Sequence, residues 1–228
     1  MKISFKNMAF TLAEVLITMA IIGVVATLAL PPLISNVSNR TYATQIKNFS
    51  VQIQQLATDQ MVVHKTNNLF NTDFSDTARL VNSSNFDTTK MCNDSNVGDC
   101  WGANYSTRYK LFSESTTYQP KALQASSSGN SAILKNGIVF RYYPITDNEK
   151  AVGYFIIDVN GVDGPNIGGR DLFGFFISPR GQLLDYSEIT TPVSEGTRLS
   201  NCKGASGVTY TDTYCFRALV DRNWEPLE

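Results

Sequence analysis

The chain has 228 residues, a formal net charge of −1, one histidine and four cysteines, and 17% of its residues are charged. The basic residues are scattered, so nothing in the sequence forms an electrostatic footprint for nucleic acid. One His and no C-x-x-C make a zinc centre a weak rival for the cysteines, and the length suits one membrane-length helix plus one globular head of roughly 160 residues.

The chain begins with a short stretch, Met1–Ala9, charged only at Lys2 and Lys6. A nearly uncharged apolar run follows from Phe10 to Leu30, about 30 Å long as a helix and so matched to one hydrocarbon core. Its one charge is Glu14, and no basic residue lies between Phe10 and Val37. A lone carboxylate in such a segment costs on the order of 2.5–3.5 kcal/mol on insertion scales, which marks it as functional and in need of a partner. Lys2 and Lys6 precede the span, which predicts a cytoplasmic N-terminus and an exported C-terminal region.

The combination of a short basic leader, Ala9-Phe10-Thr11-Leu12-Ala13-Glu14, a long apolar run and a Pro near its end resembles the leader and anchor of type IV pilins and type II secretion pseudopilins. Leader, anchor and proximal helix cover about the first quarter of the chain. The resemblance implies that a prepilin peptidase cuts between Ala9 and Phe10 and methylates Phe10. It also implies that Glu14 helps dock each subunit into a filament, where the freed Phe10 amine of a neighbouring subunit neutralises it. The sequence departs from the family at Ala9, where Gly is usual; Ala is the next smallest residue, so processing is expected to survive. Two plainer readings compete. One is a secretory signal peptide with Thr27-Leu28-Ala29 as its cleavage box; the other is a signal anchor on an unrelated ectodomain. The mature N-terminus separates the three as methylated Phe10, Leu30 or Met1.

Pro31-Pro32 predicts a kink or local unwinding, because proline lacks an amide donor and crowds the preceding turn. Segment 10–34 is thus the membrane and assembly helix. Over 35–64 Tyr42, Ile46, Phe49, Ile53, Leu56 and Gln60/Met61 recur at three- and four-residue spacing, which predicts an amphipathic spine packed on the head's own sheet. Residues 65–131 are rich in Asn, Ser, Thr and Asp and read as irregular structure pinned by a Cys92–Cys100 loop under Trp101, with a turn at 126–131. By the resemblance, this variable segment is the recognition surface.

From 132 to 228 the pattern becomes strand-like. Asn136-Gly137 between apolar runs signals a hairpin, and 153–159 and 172–178 read as further strands, with a turn at 179–181 into 182–186. The fold class expected is α+β and pilin-like, with the second half of the long helix on an antiparallel sheet of about four strands and 35–228 as one head. Four cysteines allow three connectivities; short loops favour Cys92–Cys100 and Cys202–Cys215, in an oxidising compartment. The tail reads as a disulfide-closed loop followed by an apolar piece, 216–220.

Between two strands lies a loop of oxygen-bearing side chains interleaved with glycines, Asp158, Asn160, Asp163, Asn166 and Asp171. These could wrap calcium. It is not an EF-hand, since Val162 holds the fifth position and no Glu holds the twelfth. Calcium sites on that side of the sheet are also what the resemblance implies. The competing reading is loop chemistry alone, with Asx turns, glycine freedom and Asp171 a surface charge.

Catalysis finds no constellation. His64 stands alone, no nucleophile elbow is present, and Asp185 and Glu188 read as a solvated acidic edge. The expectation is a non-enzymatic structural subunit of a type IV pilus or type II secretion filament in the bacterial cytoplasmic membrane. Its partners are prepilin peptidase, the membrane and other pilin or pseudopilin subunits. The alternative is a monomeric membrane-tethered binding or adhesin module that never polymerises.

Overall fold

The structure, a computed structural model, describes residues 11–105, 107–114, 116–124, 128–205 and 207–227, with the backbone alone at 30–34 and 122. The expected cleavage pair, Ala9 and Phe10, lies outside the described residues, as do two residues of the expected turn at 126–131. The chain divides into two compact units, Met1–Ser38 and Asn39–Glu228.

Helix α1 (Leu12–Val63) runs through both units. Its first part, Leu12–Ala29, has a mean hydropathy of 2.3, is 0% buried, and is long and apolar enough to cross a membrane. The unwinding expected at Pro31-Pro32 does not occur, since the helix is continuous there. Two prolines delete two amide donors, but the turns on either side keep their own i→i−4 bonds, and those hold the backbone helical.

In the second unit α1 carries a buried stripe, Ala43, Ile46, Phe49, Ile53 and Ala57, spaced at three and four residues. The exposed positions between them are largely Thr, Asn and Gln. The stripe meets a single antiparallel sheet ordered β1 (Thr88–Cys92), β2 (Asn130–Leu134), β3 (Val139–Pro144), β4 (Gly153–Asp158), β5 (Leu172–Ile177) and β6 (Leu183–Leu184). Phe49 packs its ring against Phe140, Phe155 and Phe175 from three successive strands, with centroids 5.3–6.4 Å away. Such rings bury large apolar area and prefer these tilted and edge-on geometries.

The sheet therefore has six strands, where about four were expected. The extra edge strand, β1, has the exposure pattern of a mostly solvated ribbon, with only Cys92 buried. It carries no apolar alternation, so period-two reasoning has nothing to detect. At the other edge, β6 has only two residues. Both faces of the central strands are buried. Phe155, Ile157, Phe173, Phe175 and Ile177 face α1, while Tyr154, Ile156, Leu172 and Phe176 join a second core with Trp101, Tyr109 and Ile189.

Further corrections concern the expected loops. Region 65–131 holds short helices, among them 3-10 turns at Leu69–Asn71 and Asp73–Ser75, capped by the Asn68 and Thr72 side chains, α2 (Thr77–Leu80), capped by Asp76, and α3 (Gly98–Trp101), which has no side-chain cap. The tail is mainly helical. After α4 (Tyr186–Ile189) come α5 (Glu195–Cys202) and α6 (Thr211–Asp221). Phe216 of α6 packs on Phe175 at 4.9 Å, so this helix shares the sheet face with α1. Asp185 is no solvated edge: it is buried, and with Glu188 it forms the capping box of α4.

Both local disulfides are present, Cys92–Cys100 and Cys202–Cys215, separated by 8 and 13 residues. No free cysteine is found among the described residues.

Candidate functional sites

Two places gather the residues singled out in the sequence. The first is the start of α1. Thr11 precedes the helix, and its backbone amide and hydroxyl both donate to Glu14 Oε2 at 2.8 Å. The Glu14 amide in turn donates to Thr11 Oγ1 at 3.2 Å. This reciprocal pattern is a capping box, with Thr11 as N-cap and Glu14 three residues on. The T-x-x-E spacing is a sequence signal of a helix start, and it supplies Glu14 with a local partner inside its own helix. The side chain is exposed, as is the apolar surface around it.

The second place is the connection between β4 and β5. Asp158 ends β4 and pairs in register with Leu172. The Val159 amide donates to the Asp171 carbonyl at 2.9 Å, which closes the base of the loop. Asp171 turns its carboxylate inward and accepts from the amides of Asn166 and Ile167, both at 2.6 Å. Far from being a surface charge, it has 0% exposure, and so has Asp158. Asp158 accepts from the Tyr109 hydroxyl at 2.6 Å and from the Asn160 amide at 3.3 Å. Asn160 Nδ2 donates to the carbonyls of Asp163 at 3.0 Å and Gly164 at 2.7 Å, which fixes the orientation of its amide.

The loop rests on the second disulfide. Gly169 has φ +86°, and a Cβ there would lie 3.0 Å from Cys215 Sγ and 3.1 Å from Cys202 Sγ. Only glycine tolerates both that backbone conformation and that approach. On the other side, Lys110 pairs with the loop through its amide to the Asn166 carbonyl, 3.0 Å, and its carbonyl to the Gly168 amide, 2.9 Å.

Electrostatically the loop is unbalanced. Burial, then the proximity of Asp171, pushes the Asp158 carboxyl well above its ordinary range, against the hydrogen bonds from Tyr109 and the loop amides. Burial also raises Asp171 to about 6, although the Ile167 and Asn166 amides favour its ionised form. Two buried side-chain oxygens, Asn160 Oδ1 and Asn166 Oδ1, have no hydrogen-bond partner. Two repelling carboxylates and two orphaned amide oxygens on one loop are a donor set suited to a hard cation. Asp163 falls outside it: its side chain is exposed, and only its backbone carbonyl serves the loop. Among the described residues no group of three His, Cys, Asp or Glu comes together, so the amides are indispensable to any such site.

Of the sequence-singled residues, the fold thus buries Asp158 and Asp171, leaves one buried oxygen of Asn160 and one of Asn166 without a partner, and exposes Asp163. Tyr109, the partner of Asp158, was missed because it lies 49 positions away in a segment without periodicity. His64 is exposed at the end of α1, with Nε2 3.7 Å from Asp73.

Comparison with family models, with curated proteins and with solved structures finds no match.

Proposed function

We propose that the chain is a pilin-like structural subunit. In this reading a prepilin peptidase cuts between Ala9 and Phe10 and methylates Phe10, and the subunit polymerises through its N-terminal helix. The product is a type IV pilus or type II secretion filament at the bacterial cytoplasmic membrane, with the head outside the cytoplasm. The role is mechanical rather than catalytic. The observation that carries the reading is Glu14, a carboxylate at the start of an apolar helix of which the stretch Leu12–Ala29 is 0% buried. Such a surface has to be covered by lipid or by other helices, and a carboxylate taken into that setting needs a positive partner. Another copy's amino terminus supplies one.

The capping box favours a second reading, a monomeric membrane-tethered binding module, because Glu14 already has work inside its own helix. Glu14→Gln separates docking from capping. Glutamine can still accept from Thr11 but carries no charge. If Glu14→Gln and Glu14→Ala both abolish incorporation into filaments, the docking role stands. Normal incorporation of Glu14→Gln would reduce Glu14 to a cap within a filament subunit, whereas cross-linking of the wild-type chain that gives a lone band and no ladder would favour the tether.

Within this reading Asp158, Asp171, Asn160 Oδ1 and Asn166 Oδ1 would hold a divalent cation at the β4–β5 loop, calcium by its all-oxygen donors, and it would supply positive charge to two carboxylates that otherwise repel. The chain's own part is to fix those oxygens: the amides of 166 and 167 orient Asp171, Tyr109 orients Asp158, and the Asp163 and Gly164 carbonyls orient Asn160. Thermal melting with calcium and with chelator tests it. An unchanged midpoint in millimolar calcium leaves only a shaped loop.

A further inference from the structure

Away from α1 and the β4–β5 loop, the opposite sheet face opens into a concave site of about 420 Å³ where the β3–β4 turn meets α4 and the start of α6. Tyr143, Tyr186, Tyr210 and Phe176 line it, and Asp147 stands at its rim. The aromatic set is rigidly built. Tyr186 stacks on Tyr210 at 4.8 Å, and Phe176 meets the edge of Tyr210 at 5.1 Å. Tyr143 and Tyr210 approach each other through their hydroxyls at 3.4 Å. Tyr210 holds its place with φ 55°, a left-handed conformation that non-glycine residues seldom adopt without compensating contacts.

Beneath this layer lies a buried acid. Asp212, at 0% exposure, accepts hydrogen bonds from Tyr118 and Tyr154, and the Tyr154 ring meets Tyr143 and Tyr210 edge-on at 5.4 and 5.2 Å. Gly174 makes room for it, since any Cβ there would collide with the Asp212 carboxylate. Burial first, with Asp212 and Asp147 among the further causes, pushes the Tyr143 and Tyr210 phenols up, so the site does not welcome added negative charge. Among the described residues no Lys or Arg lines it; Lys150 instead reaches the Thr190 carbonyl and lines a separate depression.

We propose that this site binds a quaternary ammonium group, such as that of choline, against the tyrosine rings with Asp147 as counter-charge. Aromatic rings present a negative face to cations, and the attraction grows when the cation is desolvated, which a concave site permits. A carboxylate at the rim adds attraction without requiring a directional donor, which a quaternary ammonium lacks. The group could arrive on a free small molecule or on a lipid headgroup.

The test uses the full chain in a nonionic detergent, titrated with choline by calorimetry or by NMR shifts of the tyrosine rings, with sodium chloride balancing ionic strength. Expected is saturable binding at one site, at least about fivefold tighter than that of choline's neutral tert-butyl isostere. Tyr186→Leu should weaken it about tenfold while Tyr186→Phe, which keeps the ring, retains it; Asp147→Asn should weaken it about threefold. Nanodiscs separate the sources: weaker choline binding in phosphatidylcholine than in phosphatidylethanolamine-rich discs, which match its net charge but lack the quaternary ammonium, indicates a competing headgroup, and equal binding indicates the free molecule. Isostere binding as tight as choline, no saturation, or equal binding by Tyr186→Leu and Tyr186→Phe would overturn the proposal.

Discussion

The Tyr109 hydroxyl donates to Asp158 Oδ2 at 2.6 Å, joining the 65–131 segment to the end of a central strand. Tyr109 also sets its ring edge-on to Trp101, 6.3 Å between centroids, and Trp101 immediately follows Cys100. One hydrogen bond thus connects the β4–β5 loop to the Cys92–Cys100 substructure. Tyr109→Phe keeps the ring packing but leaves a buried carboxylate short of a donor, at a cost of about 1–3 kcal/mol. Chemical denaturation at neutral pH checks the loss, and added calcium should recover part of it.

The buried acids predict a pH dependence. Burial pushes the Asp171 carboxyl up to about 6 in the fold, and burial with the nearby Asp171 charge pushes Asp158 up as well. A carboxyl with a raised folded pKa favours the fold while it is protonated. That contribution is complete below the ordinary aspartate range and is lost as pH rises through about 6. Asp158→Asn removes one of the two repelling charges and can still accept from Tyr109. In the absence of calcium, its melting temperature should exceed that of the wild type by a margin that grows from about pH 5 to about pH 8. Calcium should raise the wild-type midpoint by several degrees, more at the higher pH, and should leave Asp158→Asn nearly unmoved.

Gly169→Ala tests the contact between loop and disulfide. It places a side chain at φ +86° and within 3.1 Å of both sulfurs. The expected destabilisation is about 2–4 kcal/mol by denaturant titration, with the calcium response lost as the loop is displaced. Replacing Cys202 and Cys215 together by Ser should cost about 3 kcal/mol, by freeing a closed loop and by withdrawing the surface on which Gly169 rests.

Phe49→Ala removes a ring shared by three strands and should cost about 3–5 kcal/mol, whereas Gln52→Ala on the exposed face of the same helix should lie within about 0.5 kcal/mol of wild type. Thermal melts of the two variants distinguish a spine buried on the sheet from a helix free of it.

Much of the architecture was legible because its signals are local. The stripe from Tyr42 to Met61 has helical spacing, Asn136-Gly137 marks a turn, and both disulfides close short loops. β1 was not legible: Thr89-Lys90-Met91 is exposed and becomes a strand only by pairing with β2, a non-local contact. The tail helices were hidden by their cysteines, which suggested a loop. At the β4–β5 loop the residue types could be read, but not their burial. Asp171 looks like a surface charge until the fold closes over it, and Asp163, equal to it in sequence, stays outside. Thr11 and Glu14 have the capping-box spacing in the sequence, a helix-start signal masked by the apolar run that surrounds it.

The most direct test of the filament account is intact-mass and N-terminal fragment spectrometry of the protein recovered from membranes of cells that carry a prepilin peptidase. The account predicts a mature chain that begins at Phe10 and bears one N-methyl group. A chain that begins at Met1 or at Leu30 would contradict it.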